Sequence, residues 1–298
     1  MDKDIELFFD YLLYQKNYSL HTIKSYKEDI SMFKEYLDKE NISYLDIDYQ
    51  LIRAYMQELD KKKLSSSSIG RKLSGLRSFY KYLARNKKIK SNPFTLVKSP
   101  KKEHKLPKFL YYNELESLFL IPDLSDSFGI RDRLILELLY ATGIRVGELE
   151  LLKIKDINET NKTIKIFGKG SKERIVLFGD YAKEILNLYL KDARPNLEKE
   201  KSEYLLLNHL GNRLTARGIR FILDKIIDKS SLDTKISPHV LRHTFATHLL
   251  NAGCDIVSVQ ELLGHESLKA TQIYTHITSE GLRNVYLKTH PRSNKKID

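Results

Sequence analysis

Apolar residues recur at helical spacing through the first ninety or so positions. Ile5, Phe8, Phe9, Leu12 and Leu13 make one stripe. Ile23, Tyr26, Ile30, Phe33 and Leu37 make a second, stepping by threes and fours behind Ser19, a residue suited to cap it. Leu51, Ile52, Tyr55, Met56 and Leu59 form a third, and the serine run 65–68 precedes a fourth carried by Ile69, Leu73, Leu76, Tyr80 and Leu83. Four amphipathic stripes predict a four-helix domain over residues 1–92.

Residues 93–110 break the pattern. Pro93, Pro100 and Pro107 alternate with Lys98, Lys101, Lys102, Lys105 and Lys108, a composition that resists regular structure and reads as a basic linker. Helical spacing returns near Asn113–Leu120 and Arg131–Ala141, the latter stopped by Gly143. Two β-rich runs, TIKIF and ERIVLF, then flank residues 168–172 and predict a hairpin. From Asp180 the pattern is helical again, with a basic stretch carrying Arg213, Arg217 and Arg220. The fold class predicted is mainly α with a small β-sheet (α+β), with a second domain over 111–280. A last segment, 281–298, has Leu282, Val285 and Tyr286 on one stripe ahead of a basic tail.

Charge narrows the partners. The chain has 298 residues, long enough for about two domains, and 51 Lys plus Arg against 39 Asp plus Glu give +12, which favours a polyanion. Arg71, Lys72, Arg77, Lys81 and Arg85 interleave with Gly70, Ser74, Gly75 and Ser78 on the fourth helix, a pattern that suits either a solvated face or phosphate contacts. No apolar run approaches the about 20 residues that span a bilayer. The acidic opening Met1-Asp2-Lys3-Asp4 is unlike a secretory signal, and a single cysteine excludes an internal disulfide framework. A cytoplasmic protein without membrane insertion is expected.

The chemistry concentrates in residues 237–276. Ser237 suits an N-cap and Pro238 the first helical position, so His239 falls in a first turn and Arg242 three residues on, sharing a face where the helix dipole favours an anion. A second helix, Ile256–Leu263, stops at Gly264 and presents His265, and Tyr274 comes some ten residues later. Upstream, Arg145 and Glu148 stand at i, i+3, which lets a carboxylate orient a guanidinium. His239 and His243 have zinc-like spacing, but Val240 stands where a metalloprotease helix carries its Glu, and Cys254 has no cysteine neighbour. Neither phosphate-loop glycine pattern is present. No metal and no cofactor is expected. His243, His248 and His276 read as structural.

SPHVLRHTFATHLL, LLGHESL and TQIYTH, with ATGIRVGEL upstream, resemble the signature of the tyrosine recombinase/integrase family, most closely its Xer subgroup; VQELLGH and the ending near THPR lean toward the XerC type. The resemblance implies an N-terminal core-binding (SAM-like) domain and a catalytic domain closing as a C-shaped clamp on DNA. It implies six catalytic residues: Arg145, Lys169, His239, Arg242, His265 and the nucleophile Tyr274, with Glu148 orienting Arg145. Lys169 matches the family's hairpin lysine, and Lys172 is its competitor. Arg71, Lys72, Arg77, Lys81, Arg217 and Arg220 become candidate DNA contacts.

The activity implied is cutting and rejoining of double-stranded DNA at a specific site through a 3′-phosphotyrosine and a Holliday junction, without ATP or metal. Implied partners are a homo- or heterotetramer on DNA, a paralogous recombinase, and a DNA translocase of the FtsK type. Residues 281–298 are expected to be donated to a neighbouring subunit, with docking in cis as the alternative. Competing readings are an integrase or transposase of a mobile element, a type IB topoisomerase, and a noncatalytic DNA-binding protein on the same scaffold. The short stretch before the first stripe leaves no room for an arm-binding domain, which favours Xer-type resolution of chromosome or plasmid dimers.

Overall fold

The computed structural model describes residues 2–100, 109–168, 173–230, 232, 236–264 and 279–294. The chain divides into two compact units, Met1–Lys105 and Leu106–Asp298.

The first unit holds α1 (Lys3–Asp10), α2 (Leu20–Lys39), α3 (Tyr49–Lys61) and α4 (Ser66–Arg85), with a π-type turn, Tyr11–Gln15, extending α1. Side-chain caps start the last three. Ser19 accepts from Thr22 N at 3.2 Å, Asp48 from Leu51 N at 2.8 Å and Ser65 from Ser68 N at 3.2 Å. Phe8, Phe33, Tyr55, Leu76 and Tyr80 fill the core. The stretch read as linker begins instead with a 3₁₀ turn, Pro93–Leu96, capped by Asn92. Proline fits that first turn because its missing N–H has no partner there in any case. Phe94 is fully buried 5.0 Å from the Tyr80 ring, and Arg77 Nη2 donates to Val97 O at 2.9 Å.

The second unit is built around α6 (Ser127–Thr142), which comes after α5 (Tyr112–Phe119). Helix α6 is buried on nearly every side, its polar Arg131 and Glu137 included. Asp126 caps its start and Gly143, at φ 59°, ends it. After α7 (Val146–Leu151) come β1 (Ile157–Asn158), β2 (Thr163–Phe167) and β3 (Glu173–Leu177), an antiparallel sheet in that order. Register pairs Ile164 with Val176 and Ile166 with Arg174, so alternation puts Ile164, Ile166, Arg174 and Val176 on one face. The chain continues with α8 (Asp180–Leu188), the short α9 (Arg194–Leu197), α10 (Ala216–Asp228), α11 (Pro238–Asn251), α12 (Ile256–Leu263) and α13 (Ser279–Thr289).

Residues 279–294 pack on their own unit in this single chain, the cis alternative to donation. Tyr286 is buried and its hydroxyl donates to Ala141 O at 3.0 Å. His290 lies against the Tyr286, Tyr140 and Phe245 rings, where burial pushes its pKa down to about 3 and keeps it neutral. Arg292 donates to Glu137 at 2.6 and 3.2 Å and to Glu116 at 2.8 Å, with its guanidinium over the Tyr181 and Phe119 rings. Glu137 supplies the reason for docking in cis: it is 0% exposed on α6, so its charge requires the cations Arg133 and Arg292. Lys295 and Lys296 lie outside the described residues.

The two carboxylates that hold Arg292 should differ sharply in weight. Glu137→Ala removes the fully buried carboxylate from Arg133 and Arg292, whose side chains are 13% and 4% exposed, and should lower the unfolding free energy by about 3–5 kcal/mol. Glu116, whose side chain is 46% exposed, should cost no more than about 1 kcal/mol when changed to Ala. Denaturant unfolding of the full chain measures both, and equal losses would show that Glu137 does not anchor the C-terminal segment.

Candidate active site

Three helix ends of the second unit meet around Arg242. Ser237 caps α11 by accepting from Val240 N at 3.3 Å, and Pro238 occupies the first turn as expected. His239 is exposed in that turn. Arg242, one turn along, is 9% exposed; it donates from Nη1 to Gly143 O and from Nη2 to Leu263 O at 2.7 Å. Those acceptors belong to the C-terminal ends of α6 and α12, whose last carbonyls have no partner within their own helices.

Both helices end on a left-handed glycine, Gly143 at φ 59° and Gly264 at φ 64°. A Cβ on Gly143 would lie 2.7 Å from Phe245 and 2.9 Å from Leu263. On Gly264 it would lie 2.5 Å from Arg174 Cδ. Glycine is therefore required at each for backbone conformation and for space.

Two residues beyond Gly143, Arg145 stands at the N-cap of α7 with its side chain about half exposed. Glu148 accepts from Arg145 N at 2.8 Å and from Arg145 Nη1 at 3.1 Å, the i, i+3 pairing expected. The same carboxylate takes a bidentate pair from Arg174 at 2.8 and 2.7 Å. Burial alone would raise the Glu148 pKa, but the Arg174 bonds, the Arg145 N–H and both positive charges outweigh it and hold the carboxyl below its ordinary range.

Arg242 moves the other way. Burial, then the charge of Arg145, brings its pKa down to about 10 against the opposing pull of Glu148, leaving it protonated at neutral pH. Arg145 and Arg174 share the Glu148 carboxylate and Arg242 feels its charge from its place on two backbone carbonyls, so three guanidiniums face one carboxylate and the cluster is cationic. It offers directed N–H donors to an anion beside the N-terminus of α11.

The described residues thus bring together Arg145, Glu148 and Arg242, with His239 on the same helix as Arg242. Lys169, its competitor Lys172, His265, Tyr274 and His276 lie outside the described residues. Gly264 is the residue just before His265. Arg174 was missed from the sequence, although the alternation of ERIVL places it on the same strand face as the buried Val176. His248 is structural as expected: Nδ1 meets Tyr140 Oη at 2.8 Å and Nε2 meets Leu110 O at 2.9 Å. Among the described residues no group of three or more His, Cys, Asp or Glu is arranged to hold a metal ion.

The candidate DNA contacts divide. Lys81, Arg217 and Arg220 are exposed. Arg71 is half exposed and fixed by a bidentate pair to Asp29. Lys72 is corrected: it is 6% exposed and donates to Asp29, itself 0% exposed, at 3.1 Å, so it neutralises a buried charge instead of reaching outward. Arg77 is turned to the backbone of residues 94–97.

Residues 108–280 match the phage integrase family, and residues 5–87 match its N-terminal SAM-like domain. The chain is 50% identical to the tyrosine recombinase XerC of Anoxybacillus flavithermus, covering 97% of this chain and 98% of that one. It is 48% identical to XerC of Bacillus subtilis, covering 98% and 97%. Among solved structures, the XerH site-specific recombinase bound to palindromic difH substrate in a post-cleavage complex is 30% identical with a TM-score of 0.72, over 91% of this chain and 81% of that one. The similarity lies on the XerC side, where VQELLGH and THPR also point. The chain belongs to the phage integrase family and, within it, to the Xer subgroup of tyrosine-type site-specific recombinases.

Proposed function

We propose that the chain binds double-stranded DNA at a specific recombination site and exchanges strands through a covalent 3′-phosphotyrosine and a Holliday junction, resolving chromosome or plasmid dimers. The observation that carries this reading is the cationic cluster of Arg145, Arg174 and Arg242 around Glu148, built from two helix N-termini and strand β3. It is supported by the XerC relatives and by the DNA-bound XerH structure.

In this mechanism Tyr274 Oη attacks the scissile phosphorus and becomes its new ester oxygen, while the 5′ oxygen departs. A phenol ionises near pH 10, so it needs help in losing its proton, a task assigned to His239. Arg145 and Arg242 donate to the nonbridging oxygens, where charge grows in the transition state, and His265 adds a further hydrogen bond. Lys169 protonates the leaving 5′ oxygen. The phosphotyrosine conserves the bond, so religation needs no ATP. Exposed Lys81, Arg217 and Arg220, with the Asp29-anchored Arg71, supply phosphate contacts.

The reaction is set in the cytoplasm, in a homo- or heterotetramer on DNA, with a paralogous recombinase and an FtsK-type translocase as partners. No helix among the described residues is long and apolar enough to cross a membrane.

The recombination site can be recovered by sequencing DNA trapped covalently on the protein. On a nicked suicide duplex carrying that site, Tyr274→Phe should form no adduct while retaining duplex binding, because only the phenolic oxygen is lost. An adduct formed by this variant would identify a different nucleophile.

Lys169→Ala should be impaired far less when the leaving 5′ oxygen is replaced by sulfur, which departs without a proton, with Lys172→Ala as the control. Equal impairment on oxygen and sulfur substrates would remove Lys169 from the general-acid role.

A further inference from the structure

We infer that Arg174 is a positioning residue that sets the charge of the phosphate site, by taking Glu148 into a bidentate pair so that the positive charge of Arg145 stays available to the anion. The inference deepens the proposed function and rests on that reading for its catalytic consequence.

The geometry makes Arg174 the dominant partner of Glu148. Both carboxylate oxygens accept from Arg174, at 2.8 and 2.7 Å, whereas the Arg145 side chain makes one longer bond at 3.1 Å. Planar fork-to-carboxylate pairing is the stronger arrangement. Glu148 has a side chain only 9% exposed, so solvent does little to screen its charge. Without Arg174, that charge would fall on Arg145 alone. The pair would then be neutral, and only Arg242 would carry unbalanced charge.

Position explains how the residue reaches this role. Arg174 is the second residue of β3, on the strand face that carries Val176 and pairs with Ile166, so alternation directs it inward. Its stem lies under Gly264, where a Cβ would meet Arg174 Cδ at 2.5 Å. Its Nε is buried and has no hydrogen-bond acceptor among the described residues. One side chain therefore ties the strand after the hairpin, the Arg145 helix and the turn before His265 into one unit. Its charge is also felt at Arg242.

The test is a charge rescue. Arg174→Met keeps a long stem beneath Gly264 but removes the cation. It should slow covalent adduct formation on the nicked duplex at saturating protein by about tenfold, the scale set by removing one charge from a partly buried site. In the DNA-free protein, measured at constant ionic strength, it should reduce the rise in thermal midpoint produced by inorganic phosphate. Adding Glu148→Gln to Arg174→Met removes the uncompensated carboxylate and should restore much of both signals. A purely structural role would leave the double variant as impaired as the single one, or worse. Arg174→Lys, which keeps a cation on a similar stem, should retain most of the phosphate response. The inference is overturned if Arg174→Met matches the parent in both measurements, if the double variant shows no recovery, or if Arg174→Lys loses the phosphate response as fully as Arg174→Met. If the phosphate response behaves as expected but the unsubstituted protein forms no Tyr274 adduct, the proposed function fails while the role of Arg174 stands.

Discussion

The guanidinium of Arg242 sits where two helices run out of backbone partners. The C-terminal carbonyls of α6 and α12 point into the same small volume, and the fork of Arg242 satisfies one from each. A helix end buried without a partner is costly, and an arginine buried without acceptors is costlier still. Each cost is met by the other. The left-handed glycines that terminate the two helices make the encounter possible, because they turn the chain away within a single residue. Each glycine also leads into a residue of the proposed site: Arg145 is two residues past Gly143, and His265 comes directly after Gly264.

Electrostatics then decides what the assembly is for. A site holding several guanidiniums around one carboxylate opposes its own formation, and the pKa of Arg242, lowered first by burial and then by the charge of Arg145, reflects both costs. Folding tolerates it because Glu148 and the helix-end carbonyls supply negative partners. The cluster keeps an excess of positive charge, which the proposed function assigns to the phosphate. A metal-free phosphoryl transfer needs such a site, since fixed donors aimed at the phosphate oxygens replace the cation that a metalloenzyme would use. The N-terminal unit uses similar physics for a different end: Asp29 is buried against Arg71 and Lys72, and only Arg71 retains an exposed face.

Much of this was legible from capping chemistry and spacing. Ser237-Pro238 and the two glycines fixed where helices begin and end, and i, i+3 spacing paired Arg145 with Glu148. Other features needed registers that no local pattern supplies. Arg174 is an ordinary basic residue until the pairing of β2 with β3 shows which face it occupies. Asp29 finds Arg71 across more than forty residues. Lys72 was readable and misread: it lies three residues after Ile69 and four before Leu76, on the apolar stripe itself. The C-terminal segment showed its own stripe but not the surface receiving it. Glu137, alone among apolar neighbours in LILELLYAT, was the sign that a cation would arrive from elsewhere.

The central claim is that the site depends on the shape of Arg242 as well as its charge. Arg242→Lys tests this most directly, because lysine keeps the cation and loses the fork that spans two carbonyls. Single-turnover adduct formation on the nicked duplex, at protein concentrations that saturate binding, should fall by about a hundredfold, the scale of deleting one preorganised transition-state donor. Duplex affinity should change little. Adduct formation at the unsubstituted rate would contradict the account, since a point charge would then serve as well as the bridge between the two helix ends.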